Sequence, residues 1–194
     1  MQSEIKRMME FVVKLLDDKL PANYYYHNHM HTLYVLEKAL EIGVQESCTV
    51  HEIHLLSAAA LWHDTGYIKT YNGHEEEGSE LAGLYLPGYG YSWEETQMVQ
   101  GMIMATKIPQ SPKNKLEEII ADADLEYLGT REAGEKAELL FRELQSLNPS
   151  LTKEQWDQTQ ISFIREHRYF TQYCRKNKEP HKQAYLDELL HSAG

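Results

Sequence analysis

Apolar positions recur with helical spacing along nearly the whole chain, and no run of alternating β-branched residues interrupts them. Met8, Phe11, Val12, Leu15 and Leu16 share one face of a predicted helix over about Ser3 to Leu20, which Pro21 stops. A second helix is expected from near Tyr25 to Gly43, a good C-cap. A third runs from the cap-like Thr49 to about Thr65. Gly66, Asn72 and Gly73 then mark a loop that carries His74. Glu75 to Leu86 predicts a helix ended by the Pro87-Gly88 turn, and Ser92 caps another through about Thr106. Pro109 and Pro112 lie in a Lys-rich loop, after which Leu116 to Leu128 reads as a helix ending at Gly129. Thr130 to Leu147 closes on the Asn148-Pro149-Ser150 turn, Thr152 opens a long helix to about Lys176, and Pro180 introduces the last one. No internal repeat, low-complexity segment or domain boundary is visible. The pattern predicts an all-α bundle forming one domain over residues 1–194.

Composition narrows the partners. At 194 residues the chain can bury a sizeable core, and 42% hydrophobic with 25% charged residues suits a globular protein. A net charge of -11 argues against a nucleic-acid backbone as partner. Cys48 and Cys174 form no CxxC pair and no disulfide framework, which fits a reducing compartment. The N-terminal M-Q-S-E-I-K-R carries charges where a signal peptide needs an apolar run. The longest uncharged apolar stretch, around Leu55 to Trp62, is too short to span a bilayer. The expectation is a cytoplasmic protein with no membrane partner. Its oligomeric state is open, a homodimer included.

Candidate chemistry starts at L-W-H-D-T-G, Leu61 to Gly66. His63 and Asp64 side by side can both reach one divalent cation. His31 lies upstream in H-N-H-M-H-T, and Asp122 and Asp124 lie downstream in A-D-A-D-L. Two imidazoles and two carboxylates suit Mn, Fe, Ni, Co, Zn or Mg rather than a thiolate zinc site. Helical geometry sorts the neighbours. His27 and His31, four apart, share a face, whereas His29 points elsewhere by roughly 200°. His54 lies about 180° round its helix from His63. Asp122 and Asp124 are about 200° apart if helical, so one of them faces the metal and spacing does not say which.

Y-H-N-x-x-H-T at Tyr26 to Thr32, H-D-T-G at His63 to Gly66, H-E at His74-Glu75 and D-A-D-L at Asp122 to Leu125 resemble, in order and spacing, the HD-domain metal-dependent phosphohydrolases. The resemblance covers about 25–130, with residues 131–194 expected as helices packing on that core. It implies helices around a buried metal held by His31, His63, Asp64 and Asp124, and it places His27 beside the metal as proton donor to the leaving oxygen. The implied reaction is attack of metal-bound water on a phosphomonoester or phosphodiester of a small, nucleotide-like molecule, with Asp64 taking the water's proton.

Two-metal members of the superfamily bring further histidines between the HD pair and the final Asp. Here Thr106 stands where a second such His would follow, so one metal is expected. His74, Glu75 and Asp122 then read as groups behind the ligands or on the substrate side. Lys69, Lys107 and Arg168 are candidate phosphate contacts. Two alternatives stand beside the hydrolase: a di-iron oxygenase of HD-like fold, and a nucleotide-binding sensor without turnover.

Overall fold

The computed structural model describes residues 2–192, in ten α-helices joined by short turns and three 3-10 segments, with no strand among the described residues. α1 (Gln2–Lys19), α2 (His29–Gln45), α3 (Val50–Trp62), α4 (His74–Tyr85), α5 (Trp93–Ala105) and α6 (Lys115–Asp124) build the first layer. α7 (Ala133–Leu147), α8 (Lys153–Glu166), the short α9 (Gln172–Asn177) and α10 (Glu179–Ser192) build the second. No helix among the described residues is long and apolar enough to cross a membrane.

α3 is the axis of the first layer. Its run Leu55 to Trp62 is buried on every side, apolar except for Ser57, whose hydroxyl donates to the Ile53 carbonyl. Ala58, Ala59 and Ala60 let neighbouring helices come close, and α1, α2, α5 and α6 all pack on α3. Trp62 closes the run, stacked on Tyr85 at 5.3 Å between ring centres. Sequence capping fixes several helix starts. Thr49, Ser92 and Thr152 each accept from the backbone N–H three residues on, and Glu52, Glu95 and Gln155 return the bond to the cap.

The second layer has its own apolar contacts. Leu125 and Leu128, in and beside the 3-10 turn Glu126–Gly129, meet Ile161 and Ile164 of α8 and Leu186 of α10. Phe141 of α7 stacks on Trp156 of α8 at 6.0 Å. The candidate site lies in the seam between the layers.

Besides α6 ending at Asp124 where the pattern runs to Leu128, and α7 starting at Ala133 where it begins at Thr130, the structure departs from periodicity in two places. The second helix starts at His29 instead of Tyr25, because Asn28 caps it by accepting from Met30 N–H. The preceding Tyr26 and His27 N–H groups are taken by Glu143 of α7 at 2.8 and 3.0 Å. The long helix expected from Thr152 to Lys176 breaks after Glu166. There the buried Asp122 carboxylate accepts from Phe170 N–H, Thr171 N–H and the Thr171 hydroxyl. The His167 carbonyl accepts from the fully buried Lys182 at 2.6 Å.

Candidate metal centre

His63 and Asp64 sit just past the end of α3, in the turn into the 3-10 segment Thr65–Ile68. Gly66 is what lets α4 start against that turn. A Cβ at Gly66 would lie 1.9 Å from the His74 carbonyl oxygen and 2.7 Å from the Gly78 nitrogen, both backbone. The glycine therefore allows a backbone-to-backbone approach that seats His74 beside Asp64.

Four donor atoms converge here. His31 Nε2 lies 3.1 Å from Asp124 Oδ1 and 3.4 Å from Asp64 Oδ2. His63 Nε2 lies 3.2 Å from Asp64 Oδ2 and 3.6 Å from Asp124 Oδ1. The His63 Nδ1–H donates to the Ala60 carbonyl at 2.8 Å, which turns Nε2 inward toward the two aspartates. Yet His63 Nε2 and Asp64 Oδ2 are buried without any hydrogen-bond partner. Such atoms are costly unless something satisfies them. Neighbouring donors around a dication with bonds of about 2.1 Å lie roughly 3.0–3.4 Å apart, so the spacing fits an ion. His31, His63 and Asp124 form a cluster able to hold one ion.

Charge in the cluster is strongly coupled. Burial opposes ionisation of Asp64 and Asp124, but the imidazoles beside them outweigh it and hold both carboxyls low. Burial likewise opposes a charged His63, and the two aspartates overcome it and push its pKa well up. A bound cation would take over this role of the protons.

His27 stands beside the cluster, its ring centre 5.9 Å from that of His31. It does so from the loop ahead of α2, not from a shared helical face. Its Nδ1–H donates to Glu143 Oε1, and its Nε2 is 3.1 Å from the Tyr67 hydroxyl. Burial would lower the His27 pKa, but the bond to Glu143 and the charges of Asp64, Glu143 and Asp124 raise it. Glu143 itself is pulled low by His27 despite its burial. His74 has its Nδ1–H on the Tyr71 carbonyl at 3.2 Å and its Nε2 3.6 Å from Asp64 Oδ1. Tyr67 stacks flat on His74, with centres 3.8 Å apart.

A cavity of about 250 Å³ opens against the centre, lined by His27, Asp64, His74, Glu75, Thr106 and Asp124 at this end. Thr106 spends its hydroxyl on the Ile103 carbonyl at 2.8 Å. The other candidates lie elsewhere. Asp122 is on the far side of α6, holding the 170–171 turn, and burial pushes its carboxyl up to about 6 against three donors. Lys69 pairs with Glu77 at 2.6 Å and Lys107 pairs with Glu76, both exposed and outside the cavity. Arg168 lies over the Phe170 ring at 5.9 Å, in a neighbouring depression. His29 pairs with Asp17, and His54 stacks on Tyr91.

Sequence reasoning missed Glu143, Tyr67 and Tyr71. Glu143 left one faint signal: it follows Ala137 and Leu140 at successive intervals of three, on a face that is otherwise apolar.

No protein-family model and no curated protein sequence matches the chain. Among solved structures it is similar to the crystal structure, at 1.45 Å resolution, of a predicted HD superfamily hydrolase from an uncultured Thermotogales bacterium. The TM-score is 0.63 at 22% identity, over 97% of this chain and 92% of that one. The order of helices is therefore that of a known architecture: the chain has the same helical fold as that structure.

Proposed function

We propose that the chain is a metal-dependent phosphohydrolase acting on a phosphomonoester or phosphodiester of a small molecule. The observation that carries the reading is the convergence of His31 Nε2, His63 Nε2, Asp64 Oδ2 and Asp124 Oδ1, with no hydrogen bond made by the buried His63 Nε2 or Asp64 Oδ2. His31, His63, Asp64 and Asp124 would hold one dication. When bound, such an ion acidifies water and neutralises charge on phosphoryl oxygens. The similarity to a predicted HD superfamily hydrolase supports the same reaction class.

The chain's own groups supply the proton transfers. Asp64 Oδ1 faces away from the imidazole pair toward His74, so it is placed to take the proton of an attacking water. His27, with Nδ1–H tied to Glu143, carries its second proton on Nε2, 3.1 Å from the Tyr67 hydroxyl at the cavity wall, and would give it up to the leaving oxygen. The P–O bond to the leaving group breaks, phosphate keeps the water's oxygen, and the alcohol leaves protonated. Tyr67 walls this end, and Tyr67 and Tyr71 hold His27 and His74 in place.

The test is hydrolysis of p-nitrophenyl phosphate and a panel of phosphoesters with Mn added, comparing the protein with Asp64→Ala. Loss of Mn-dependent turnover in the variant is expected, and equal rates would refute the reading. Two irons per chain would favour an oxygenase. Tight nucleotide binding without hydrolysis under any metal would favour a sensor.

A further inference from the structure

The cavity has a second end of different chemistry. Beyond His27 and Asp124 its walls are mostly apolar, with Leu125, Leu128, Leu140, Trp156, Phe163 and Ile164 from the 3-10 turn, α7 and α8, and Thr159 and Gln160 of α8 beside them. No Lys or Arg among the described residues lines any part of it. Lys69 pairs with Glu77, Lys107 with Glu76 and Lys153 with Asp157, and Arg168 lies over Phe170 in a separate depression. The acids Asp64, Glu75 and Asp124 do line it, and Glu143 stands behind His27. One dication and a charged His27 leave these four carboxylates in excess. A di- or triphosphate tail would bring more negative charge into a low-dielectric pocket with no cation to meet it.

Volume sets the size of what enters. A dry cavity of roughly 150 Å³ lined by such side chains accepts benzene. The 250 Å³ here holds a phosphoryl head at the metal end and about one ring, or a short alkyl chain, at the other. An apolar group there gains the burial of its surface; Thr159 and Gln160 are already hydrogen-bonded, and the Trp156 indole N–H is without a partner.

We propose that the substrate's leaving group is an uncharged, predominantly apolar group of about ring size, seated between α7 and α8, and that nucleoside di- and triphosphates are excluded. The phosphoryl head rests on the phosphohydrolase reading; the apolar end rests on the lobe alone.

Two measurements keep these apart. Methyl-, butyl- and hexylphosphonate, which are not hydrolysed, are titrated by tryptophan fluorescence with Mn and with chelator, with Trp156→Phe as control for the signal. Ethyl, butyl, hexyl and phenyl phosphate, glycerol phosphate and ATP are assayed for hydrolysis. Affinity should rise about threefold to fourfold per methylene up to about six carbons, with a fluorescence change that Trp156→Phe removes. Ala137→Leu, which narrows the lobe, should weaken hexyl- more than methylphosphonate. Phenyl and hexyl phosphate should be hydrolysed with kcat/KM at least about 100-fold above glycerol phosphate and ATP. Affinity independent of chain length, or ATP turned over as well as hexyl phosphate, overturns the proposal. Chain-length-dependent binding with no ester hydrolysed under any metal supports the apolar lobe and overturns the phosphohydrolase reading instead.

Discussion

Glu143→Gln should cut His27 loose. The fully buried carboxylate accepts from Tyr26 N–H and His27 N–H through Oε2, and from His27 Nδ1–H and the Tyr71 hydroxyl through Oε1. Glutamine offers one acceptor oxygen and one NH2 group, so one pair of donors must face a donor. An imidazolium is also left without its counter-charge. Breaking a buried ion pair from one side costs about 3 kcal/mol. For a chain of this size that lowers Tm by about 6–12 °C. The pH dependence follows from two shifts of opposite sign. His27 is raised in the folded state, so its contribution is full below its ordinary pKa and lost as pH rises through the raised one. Glu143 is lowered, so its contribution is full above the ordinary carboxylate range and lost as pH falls through the lowered value. The Tm gap between protein and variant should thus be widest between those limits and narrow on either side. In turnover, His27 must be protonated to donate. Losing Glu143 lowers its pKa, so the alkaline limb of kcat/KM should move to lower pH. Thermal denaturation across pH and a pH–rate profile read both effects. A variant with unchanged Tm and an unmoved alkaline limb would show that Glu143 does not set the state of His27.

Gly66→Ala forces a Cβ onto the His74 carbonyl and should cost about 3 kcal/mol by urea denaturation, whereas Gly88→Ala, with nothing within 4 Å, should be near neutral. Mn at 100 times its Kd should stabilise the protein by about 2.7 kcal/mol, seen as a rise in Tm that chelator reverses and Asp124→Ala abolishes. Asp122→Ala strands two backbone N–H groups and the Thr171 hydroxyl. It should cost about 2–4 kcal/mol, with amide exchange at 167–171 rising before that of the α3 core.

Most of the helix pattern was legible because caps and apolar faces are local signals. Thr49, Ser92 and Thr152 each mark a true start with a partner three residues on. Periodicity failed at Tyr25–Asn28 and at 167–171, and for one physical reason. In each place a buried carboxylate from a distant helix, Glu143 or Asp122, takes two successive backbone N–H groups and holds the chain out of the helical line. Nothing in the local sequence announces a partner 48 to 117 residues away. The site divides the same way. His31, His63, Asp64 and Asp124 each sit in a motif, and the structure brings their donor atoms together. The lobe residues Trp156, Phe163 and Ile164 are indistinguishable in sequence from ordinary core, because a cavity is a property of two layers meeting.

α7 ties these strands together. Ala137, Leu140 and Glu143 follow one another at intervals of three, so they share one face of a single rigid element. The first two line the apolar lobe, and the third holds the proton donor. A leaving group that presses on α7 is therefore positioned by the same helix that positions His27, which is how binding remote from the reacting atoms becomes orientation at them. Phe141 sets α7 against α8 through its stack on Trp156. Phe141→Ala should accordingly weaken hexylphosphonate binding and shift the alkaline limb of kcat/KM together. If affinity falls while the pH profile stays where it was, the lobe and the proton donor are independent, and α7 is a wall without being a lever.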